Sequence, residues 1–332
     1  EVWYNSTTGT LRSHLMLESW VSGTAMGTAR YLMAGAGTTT AAVMGAGYQP
    51  GPYVATNLTE EYNGNGWSQS GVVNTTRYGM TGFGTQTAAI GAGGRTGPSG
   101  IQVTNSEAYD GSTWTTGNSM VTARRYMGGC GTQTAGLIFA GIGAPGELTA
   151  TEEYNGSYSS GPSMNTARQR IGPATAAPAT AALGFGGAQV PLAPAVFNNT
   201  EEFNGASWTT VNNMVTGKES VAGAGIQTSA LAIGGGDAPS GNSTTTQNYD
   251  GTTWTTSPAV LATTRNSANG LGASGDGAIA VSGVDGAGAG LTEEFNRTAN
   301  TYTAGAWAGG GVLNTGRALL GRAGTQTAAL GI

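Results

Sequence analysis

The side chains that could do acid–base chemistry recur along this chain instead of gathering at one place. Paired glutamates, which could supply a general acid and a general base, occur four times. They are Glu60–Glu61, Glu152–Glu153, Glu201–Glu202 and Glu293–Glu294. An active site is needed once, so repetition favours a structural role. Because neighbouring side chains in a strand point to opposite faces, we expect one glutamate of each pair to meet an arginine and the other to face water.

Histidine and cysteine, common metal ligands and nucleophiles, are each present once, as His14 and Cys130. A single histidine excludes a site with two histidine ligands, and a single cysteine excludes an intrachain disulfide. No nucleophile elbow, phosphate-binding loop or calcium-binding loop stands out from the glycine-rich background. The sequence therefore predicts no catalytic residue, no metal site and no cofactor, in a protein that is not an enzyme.

One basic residue marks each of seven repeated units, at intervals of 44 to 52 residues. These basic markers are Arg30, Arg77, Arg124, Arg168, Lys218, Arg265 and Arg317. A tryptophan precedes six of them by ten or eleven residues, and Tyr158 precedes the remaining one. The tryptophans are Trp20, Trp67, Trp114, Trp208, Trp254 and Trp307. Because both series repeat, we expect the basic residues to pair with local carboxylates or carbonyls and the rings to fill the space between units.

A fixed period of this size is typical of propellers and solenoids. Within a unit, short strand-like runs flank tight turns such as Asn63–Gly64, and helical periodicity is absent. Four short strands per unit predict an all-β, seven-bladed β-propeller of four-stranded antiparallel blades. The chain stops after the second strand of its last unit, so the last blade should combine about 314–332 with 1–22. Pairing of the N- and C-terminal strands in that blade would close the ring within a single domain, 1–332.

The order of the motifs supports a family resemblance. A typical unit has an arginine, then a glycine-containing strand, then Tyr-Asn or Tyr-Asp, and then a tryptophan. A segment such as Met-Asn-Thr-Ala-Arg at Met164–Arg168 leads into the next unit. This order resembles the kelch repeat over essentially the whole chain, and departs from it where the double glycine becomes Gly91–Gly93 or Gly141–Gly143. The repeat, and the opening segment Trp3–Arg12, are also similar to repeat-rich structural and tail-fibre-like proteins of marine tailed phages. A kelch resemblance implies the propeller fold and no particular activity.

Composition limits the partners. Charged residues make up 9% of the chain, Lys218 is the only lysine, and the formal net charge is −5. Nucleic-acid binding needs clustered positive charge, whereas these arginines are scattered along the chain, so no nucleic acid is expected. No apolar run of 18 residues is present, so no membrane insertion is expected.

The phage resemblance implies a non-enzymatic structural or receptor-binding module of a virion, of the tail-fibre or decoration type. Its partners would be other virion proteins or a glycan or protein on the host surface, and its location the virion or the extracellular space. The alternative is a secreted or cell-surface propeller that binds glycans or proteins.

One loop offers a candidate binding surface. The loops between the second and third strands differ most among units, and recognition is specified where a repeat protein varies. In one of them Tyr48 and Tyr53 stand beside Pro50 and Pro52, which would present aromatic faces on a stiff backbone. Tyr48 and Tyr53 are therefore the candidate contact residues. The alternative is that both tyrosines pack onto their own loop.

Overall fold

The computed structural model describes residues 2–5, 10–51, 54–97, 100–189, 195–237, 241–284, 290–303, 322–325 and 328–331. Regular structure in these residues is entirely β-strand, and none of them belongs to a helix able to cross a bilayer. The chain divides into two compact units, Met16–Thr298 and the combination of Glu1–Leu15 with Ala299–Ile332. Five four-stranded antiparallel sheets and one five-stranded sheet form the six blades of a β-propeller.

The blades follow one another along the chain. Blade 1 contains Ala34–Gly37, Ala42–Gly45, Thr59–Tyr62 and Trp67–Ser70. Blade 2 contains Thr81–Thr85, Ala88–Ala92, Ser106–Tyr109 and Trp114–Thr116. Blade 3 contains Gly128–Thr132, Ala135–Phe139, Thr151–Tyr154 and Tyr158–Gly161.

The next three blades repeat this pattern. Blade 4 contains Gly172–Pro173, Leu183–Phe185, Thr200–Phe203 and Trp208–Val211. Blade 5 contains Ala222–Ile226, Ser229–Ile233, Thr246–Tyr249 and Trp254–Thr256. Blade 6 contains Asn269–Ser274, Gly277–Val281 and Thr292–Thr303, and its fourth strand is Thr10–Ser22 from the start of the chain.

Short hairpins extend the loop between the second and third strands in three blades. They pair Tyr48–Gln49 with Val54–Ala55, Ala188–Gln189 with Ala195–Val196, and Gly236–Asp237 with Gly241–Asn242. In the smaller unit, Arg322–Thr325 pairs with Ala328–Gly331. Val2–Asn5 pairs with the first residues of Thr10–Ser22.

Burial falls from the second strand of a blade to the fourth. The second strand of blade 1, Ala42–Gly45, is buried at every position, because sheets on both sides cover it. The fourth strand of blade 2 buries Trp114 and exposes its next two residues. Tyr109 and Trp114 stack across the third and fourth strands with ring centroids 4.9 Å apart. The core therefore lies between blades, where these rings and the apolar second strands meet.

Glycine lets the first strands meet backbone to backbone at the centre. A Cβ atom added to Gly82 would lie 2.5 Å from the carbonyl oxygen of Gly35, and one added to Gly223 would lie 2.0 Å from that of Pro173. First strands contact each other from blade 1 through blade 6, and the first strand of blade 6 also contacts that of blade 1. Only glycine fits such approaches without displacing the backbone.

The prediction of seven blades is wrong, because the larger unit contains six. The N-terminal strand Thr10–Ser22 lies beside Thr292–Thr303 and completes the blade that follows Arg265, so it does not complete a further blade built on 314–332. Arg322–Thr325 and Ala328–Gly331 form a two-stranded sheet of their own. The spacing of the basic markers predicts the number of repeated units, but it does not predict which strand completes which sheet. The seventh marker, Arg317, and its tryptophan, Trp307, lie outside the described residues. The single domain 1–332 stays a prediction.

Candidate functional site

The six basic markers of the larger unit are buried, and five of them pair with the glutamate at the second position of their own blade's third strand. The pairs are Arg30–Glu60 at 3.1 Å, Arg77–Glu107 at 2.7 Å, Arg124–Glu152 at 2.6 Å, Arg168–Glu201 at 3.1 Å, and Arg265–Glu293. Burial lowers the pKa of Arg30 to about 10, although Glu60 raises it.

Blade 3 shows how such a pair holds the backbone. Arg124 donates from Nη1 to the carbonyl oxygens of Ala140 and Ala150, at 3.2 and 2.7 Å. Glu152, besides binding Arg124, accepts the peptide N–H groups of Val121 and Thr122 at 2.8 and 3.0 Å. The pair thus joins the chain entering the blade to its third strand. The donors of Arg124 and the acceptors of Glu152 bind backbone groups of the same blade, so we assign the pair a structural role.

Blade 5 has a different version of this buried ion pair. Lys218 replaces the arginine, and Gln247 replaces the glutamate. The Lys218 ammonium donates to Ser243 Oγ at 2.8 Å and forms an ion pair with Asp237. The Gln247 amide accepts the N–H of Thr216 and donates to its carbonyl oxygen, at 3.3 and 3.0 Å. Because Lys218 pairs with the Asp237 carboxylate, its buried charge is compensated.

The second glutamate of a pair contacts the neighbouring blade. Three tyrosine hydroxyls donate to it: Tyr62 to Glu294 at 2.5 Å, Tyr109 to Glu61 at 2.6 Å, and Tyr249 to Glu202 at 2.8 Å. The prediction that this glutamate faces water is wrong at these three positions. Burial, together with the hydrogen bond to the carboxylate, raises the pKa of both Tyr62 and Tyr109 to about 12.

Glu153 is the informative exception among these glutamates. Its side chain is exposed, and the matching residue of the next blade is Phe203, which has no hydroxyl to donate. Where the third strand of the next blade ends in tyrosine, the glutamate accepts a hydrogen bond from its hydroxyl. Where that strand ends in phenylalanine, as at Phe203, the glutamate is exposed.

The tryptophans fasten neighbouring blades through their indole N–H groups. Five of the described tryptophans donate to the threonine that begins a neighbouring third strand: Trp20 to Thr246, Trp67 to Thr292, Trp114 to Thr59, Trp208 to Thr151, and Trp254 to Thr200, all at 2.9–3.0 Å. The turn residue Gln86 likewise donates to the carbonyl oxygens of Ala42 and Tyr62, at 3.1 and 2.9 Å. Sequence reasoning missed both partners, although the recurring Thr and Gln were visible in the repeat.

The residue two positions after each buried marker has a left-handed backbone and lines a central cavity of about 100 Å³. These residues are Leu32, Gly79, Tyr126, Arg170, Ser220 and Ser267, with φ between 50° and 67°. The N–H of each one after Leu32 donates to the carbonyl oxygen of the preceding one, at 2.8–2.9 Å. Only one of the six is glycine, so these backbone bonds hold five side chains in a conformation that they rarely adopt.

Tyrosines and arginines gather where these turns reach the surface. Tyr48 lies between Tyr31 and Tyr78, with ring centroids 5.7 and 4.8 Å apart. The guanidinium groups of Arg125 and Arg170 lie over the Tyr126 ring, 4.5 and 5.5 Å from its centroid. We call the surface formed by Tyr31, Tyr48, Arg95, Arg125, Tyr126 and Arg170, over the buried Tyr78, the axial face.

Three polar contacts join the parts of this face and extend it to Glu219. Arg125 Nη1 donates to the hydroxyls of Tyr78 and Tyr126, at 3.3 and 3.4 Å. Arg170 forms an ion pair with Glu219 at 2.8 Å. Together with Glu219, residues that begin five successive blades therefore form one connected polar and aromatic surface.

The exposed positive charge is concentrated on this face. Among arginines whose side chains the structure describes, four are only partly buried: Arg95, Arg125, Arg170 and Arg297. Three of these four belong to the axial face. The fourth, Arg297, is paired with Glu18 at 2.9 Å and with Asp276 at 3.4 Å. Among the described side chains, the partly exposed arginines of this protein of net charge −5 thus lie mainly on one face.

The axial face is suited to binding rather than to proton transfer. Burial raises the pKa of Tyr126, although the nearby Arg125 lowers it, so the hydroxyl is neutral near pH 7. Guanidinium groups bind carboxylate and phosphate oxygens, and tyrosine rings contact apolar faces. Within the described part of the chain, no group of three His, Cys, Asp or Glu side chains could hold a metal ion.

The predicted contact residues fall on this surface in part. Tyr48 lies on the axial face and is partly buried between two other tyrosines, whereas Tyr53 lies outside the described residues. The binding role of both stays a prediction. Sequence reasoning missed Arg125, Tyr126 and Arg170. Their signal was their position one or two residues after a basic marker, combined with their failure to repeat in other units.

No protein-family model matches this chain, and no curated protein shows significant similarity to it. The propeller fold is therefore established here by the sheet geometry. Any relationship to kelch proteins or to phage proteins depends on the repeat pattern alone.

Proposed function

We propose that this protein is a non-enzymatic attachment module of a virion, of the tail-fibre or decoration type, whose axial face contacts its partner. The partner would be another virion protein, or a glycan or protein on the host surface. The similarity of the repeat to tail-fibre-like proteins of marine tailed phages supports the virion setting. The order of the repeat motifs supports a kelch-like origin for the propeller.

A rigid scaffold is what such a module needs, and we infer that the six blades close into a ring. Trp67 of blade 1 donates to Thr292 of blade 6, which is the same bond that links blade 2 to blade 1 through Trp114 and Thr59. Closure by an N-terminal strand in the last blade is a common way for a propeller to protect its sheet edges.

The observation that supports a binding role is the difference between the buried arginines and the partly exposed ones. The marker that begins each blade is buried and paired, whereas Arg95, Arg125 and Arg170 reach the surface together on one face. They do not repeat from blade to blade. A feature that varies on a repeated scaffold is typical of recognition.

The setting can be tested by immunogold electron microscopy on particles and cells from the source material, with antibodies raised against the 332-residue chain. Gold on the surface of virions is the expected result. Gold on cell envelopes without labelled particles would favour the secreted or cell-surface alternative. Label confined to the cell interior would overturn both.

The contact surface can be tested by binding of the fluorescently labelled chain to cells that adsorb the particles. The variant Tyr126→Ala/Arg170→Ala should bind at least about ten-fold more weakly, as expected for loss of interface anchors. Arg297→Ala is the matched control, because Arg297 lies beside Asp276 at the opposite end of the strands. Thermal melting of each variant shows whether it is folded. Equal binding by a folded double variant would reject the axial face.

A further inference from the structure

Between blades 2 and 3, the axial face opens into a groove of about 630 Å³. Arg95 and Arg125 line it, together with the aliphatic side chains of Ile101 and Val121. Ile101 is 73% exposed and Val121 is 56% exposed. This volume lies within the range of small-ligand sites. The groove thus places two cations beside two uncovered aliphatic side chains.

Both arginines in the groove have donors to spare. Within the described residues, neither Arg95 nor Arg125 forms an ion pair, and the hydrogen bonds of Arg125 use only its Nη1 group. Arg95 donates from Nε to the carbonyl oxygen of Gly100 at 2.9 Å, which leaves its two Nη groups for other acceptors. On the same face Arg170 differs, because Glu219 neutralises it. A ligand carboxylate would therefore gain charge-assisted hydrogen bonds here.

The Glu152 carboxylate, which binds two residues of the groove wall, does not compete for these arginines. Glu152 accepts the N–H groups of Val121 and Thr122 and is paired with the buried Arg124. Its charge is thus balanced beneath the groove wall. Glu152 therefore does not neutralise the two arginines of the groove.

The aliphatic lining selects among anionic ligands. Sugar rings bind best against aromatic faces, and no aromatic residue lines this groove. Ile101 and Val121 instead suit an aliphatic side chain next to the anionic group. We propose that the groove binds the free C-terminal carboxylate of a peptide or protein that ends in an aliphatic residue. Arg95 and Arg125 would hold the carboxylate, while Ile101 and Val121 contact the last side chain. The inference rests on the proposed attachment function and names the chemistry of the partner at one part of the same face.

The test is fluorescence polarisation with a labelled pentapeptide, Gly-Ser-Gly-Ala-Val, carrying a free C-terminus, titrated with the full chain. Its C-terminal amide should bind at least about ten-fold more weakly, because the charged acceptor is lost. Arg125→Gln and Arg95→Gln should each weaken binding of the free acid about ten-fold, and Ile101→Ser should weaken it less. Arg297→Gln, at the opposite end of the strands beside Asp276, is the matched control outside the groove and should leave binding unchanged. Thermal melting confirms that each variant is folded.

Three results would overturn this site assignment. They are equal binding of the acid and the amide, equal binding of an amidated peptide with an internal glutamate, and tighter binding of an oligosaccharide containing glucuronic acid. If the peptide does not bind but Tyr126→Ala/Arg170→Ala abolishes attachment to cells, the groove assignment fails and the attachment function stands. If the peptide binds but the chain attaches to no cell or particle, the attachment function fails and the groove assignment stands.

Discussion

Arg124 and Arg125 are neighbours in the chain with opposite roles. Arg124 is fully buried and binds Glu152 and two carbonyl oxygens. Arg125 lies partly exposed on the axial face, where it covers Tyr126 and forms no ion pair within the described residues. The first recurs in every blade of the larger unit, as arginine or lysine, whereas the second does not. Charged residues that repeat from blade to blade, such as Arg124, therefore stabilise the scaffold. Charged residues that do not repeat, such as Arg125, are available for binding.

The largest expected effect tests this contrast directly. Arg124→Ala should lower the free energy of unfolding by about 3–5 kcal/mol, because it leaves the Glu152 carboxylate buried without its cation. Arg125→Ala removes a partly exposed cation–π contact and two long hydrogen bonds to tyrosine hydroxyls, and should cost less than about 1 kcal/mol. Chemical denaturation of both variants, at one pH and one salt concentration, gives the comparison. Similar losses for the two variants would show that the axial face also supports the fold.

Blade 5 sharpens the comparison, because Lys218 and Gln247 replace the usual arginine and glutamate together. Lys218→Arg alone should destabilise the protein, since the larger guanidinium enters a site built around Ser243 and Asp237. Adding Gln247→Glu should recover part of the loss, with a coupling energy of about 0.5–3 kcal/mol in a double-mutant cycle. Additive effects of the two changes would mean that residues 218 and 247 act independently.

How much the sequence predicts depends on whether a feature repeats. The period and the turn residues predict four-stranded blades, because each blade must bury the same apolar second strand against its neighbours. The number of blades is not predictable in this way: whether Thr10–Ser22 completes the unit after Arg265 or a later one depends on pairing that no period encodes.

The candidate site was less predictable than the fold, for a physical reason. Tyr31, Tyr48 and Tyr78 meet although they belong to two different blades, so their contact exists only after the blades have packed. Alternation along a strand predicted that one glutamate would reach the arginine. It could not reveal that Glu61 would receive a hydroxyl from Tyr109 of the next blade.

The contacts between blades give a smaller effect. Tyr109→Phe removes the hydroxyl that donates to Glu61 and should cost about 1–2 kcal/mol, because the partly buried carboxylate loses a donor. The reverse change, Phe203→Tyr, adds a hydroxyl next to the exposed Glu153 and should stabilise the protein by up to about 1 kcal/mol. Denaturation midpoints of the two single variants test this. A loss at position 109 without a gain at 203 would indicate that blade geometry, and not the residue type, decides whether the bond forms.

The last expected effect is a pH dependence at the same contacts. A tyrosine in the unfolded chain has a pKa near 10, whereas the folded protein raises the pKa of Tyr62 and Tyr109 to about 12. Between these values the folded state keeps protons that the unfolded state has released, so the free energy of unfolding falls as pH rises from 10 to 12. Below pH 10 this contribution is fully present. Tyr62→Phe/Tyr109→Phe removes both groups, and its stability relative to the wild type should therefore improve steadily across that interval in urea titrations. A constant difference between the two proteins from pH 9 to pH 12 would show that the hydroxyls titrate alike in the folded and unfolded states, and that their bonds to Glu294 and Glu61 contribute little.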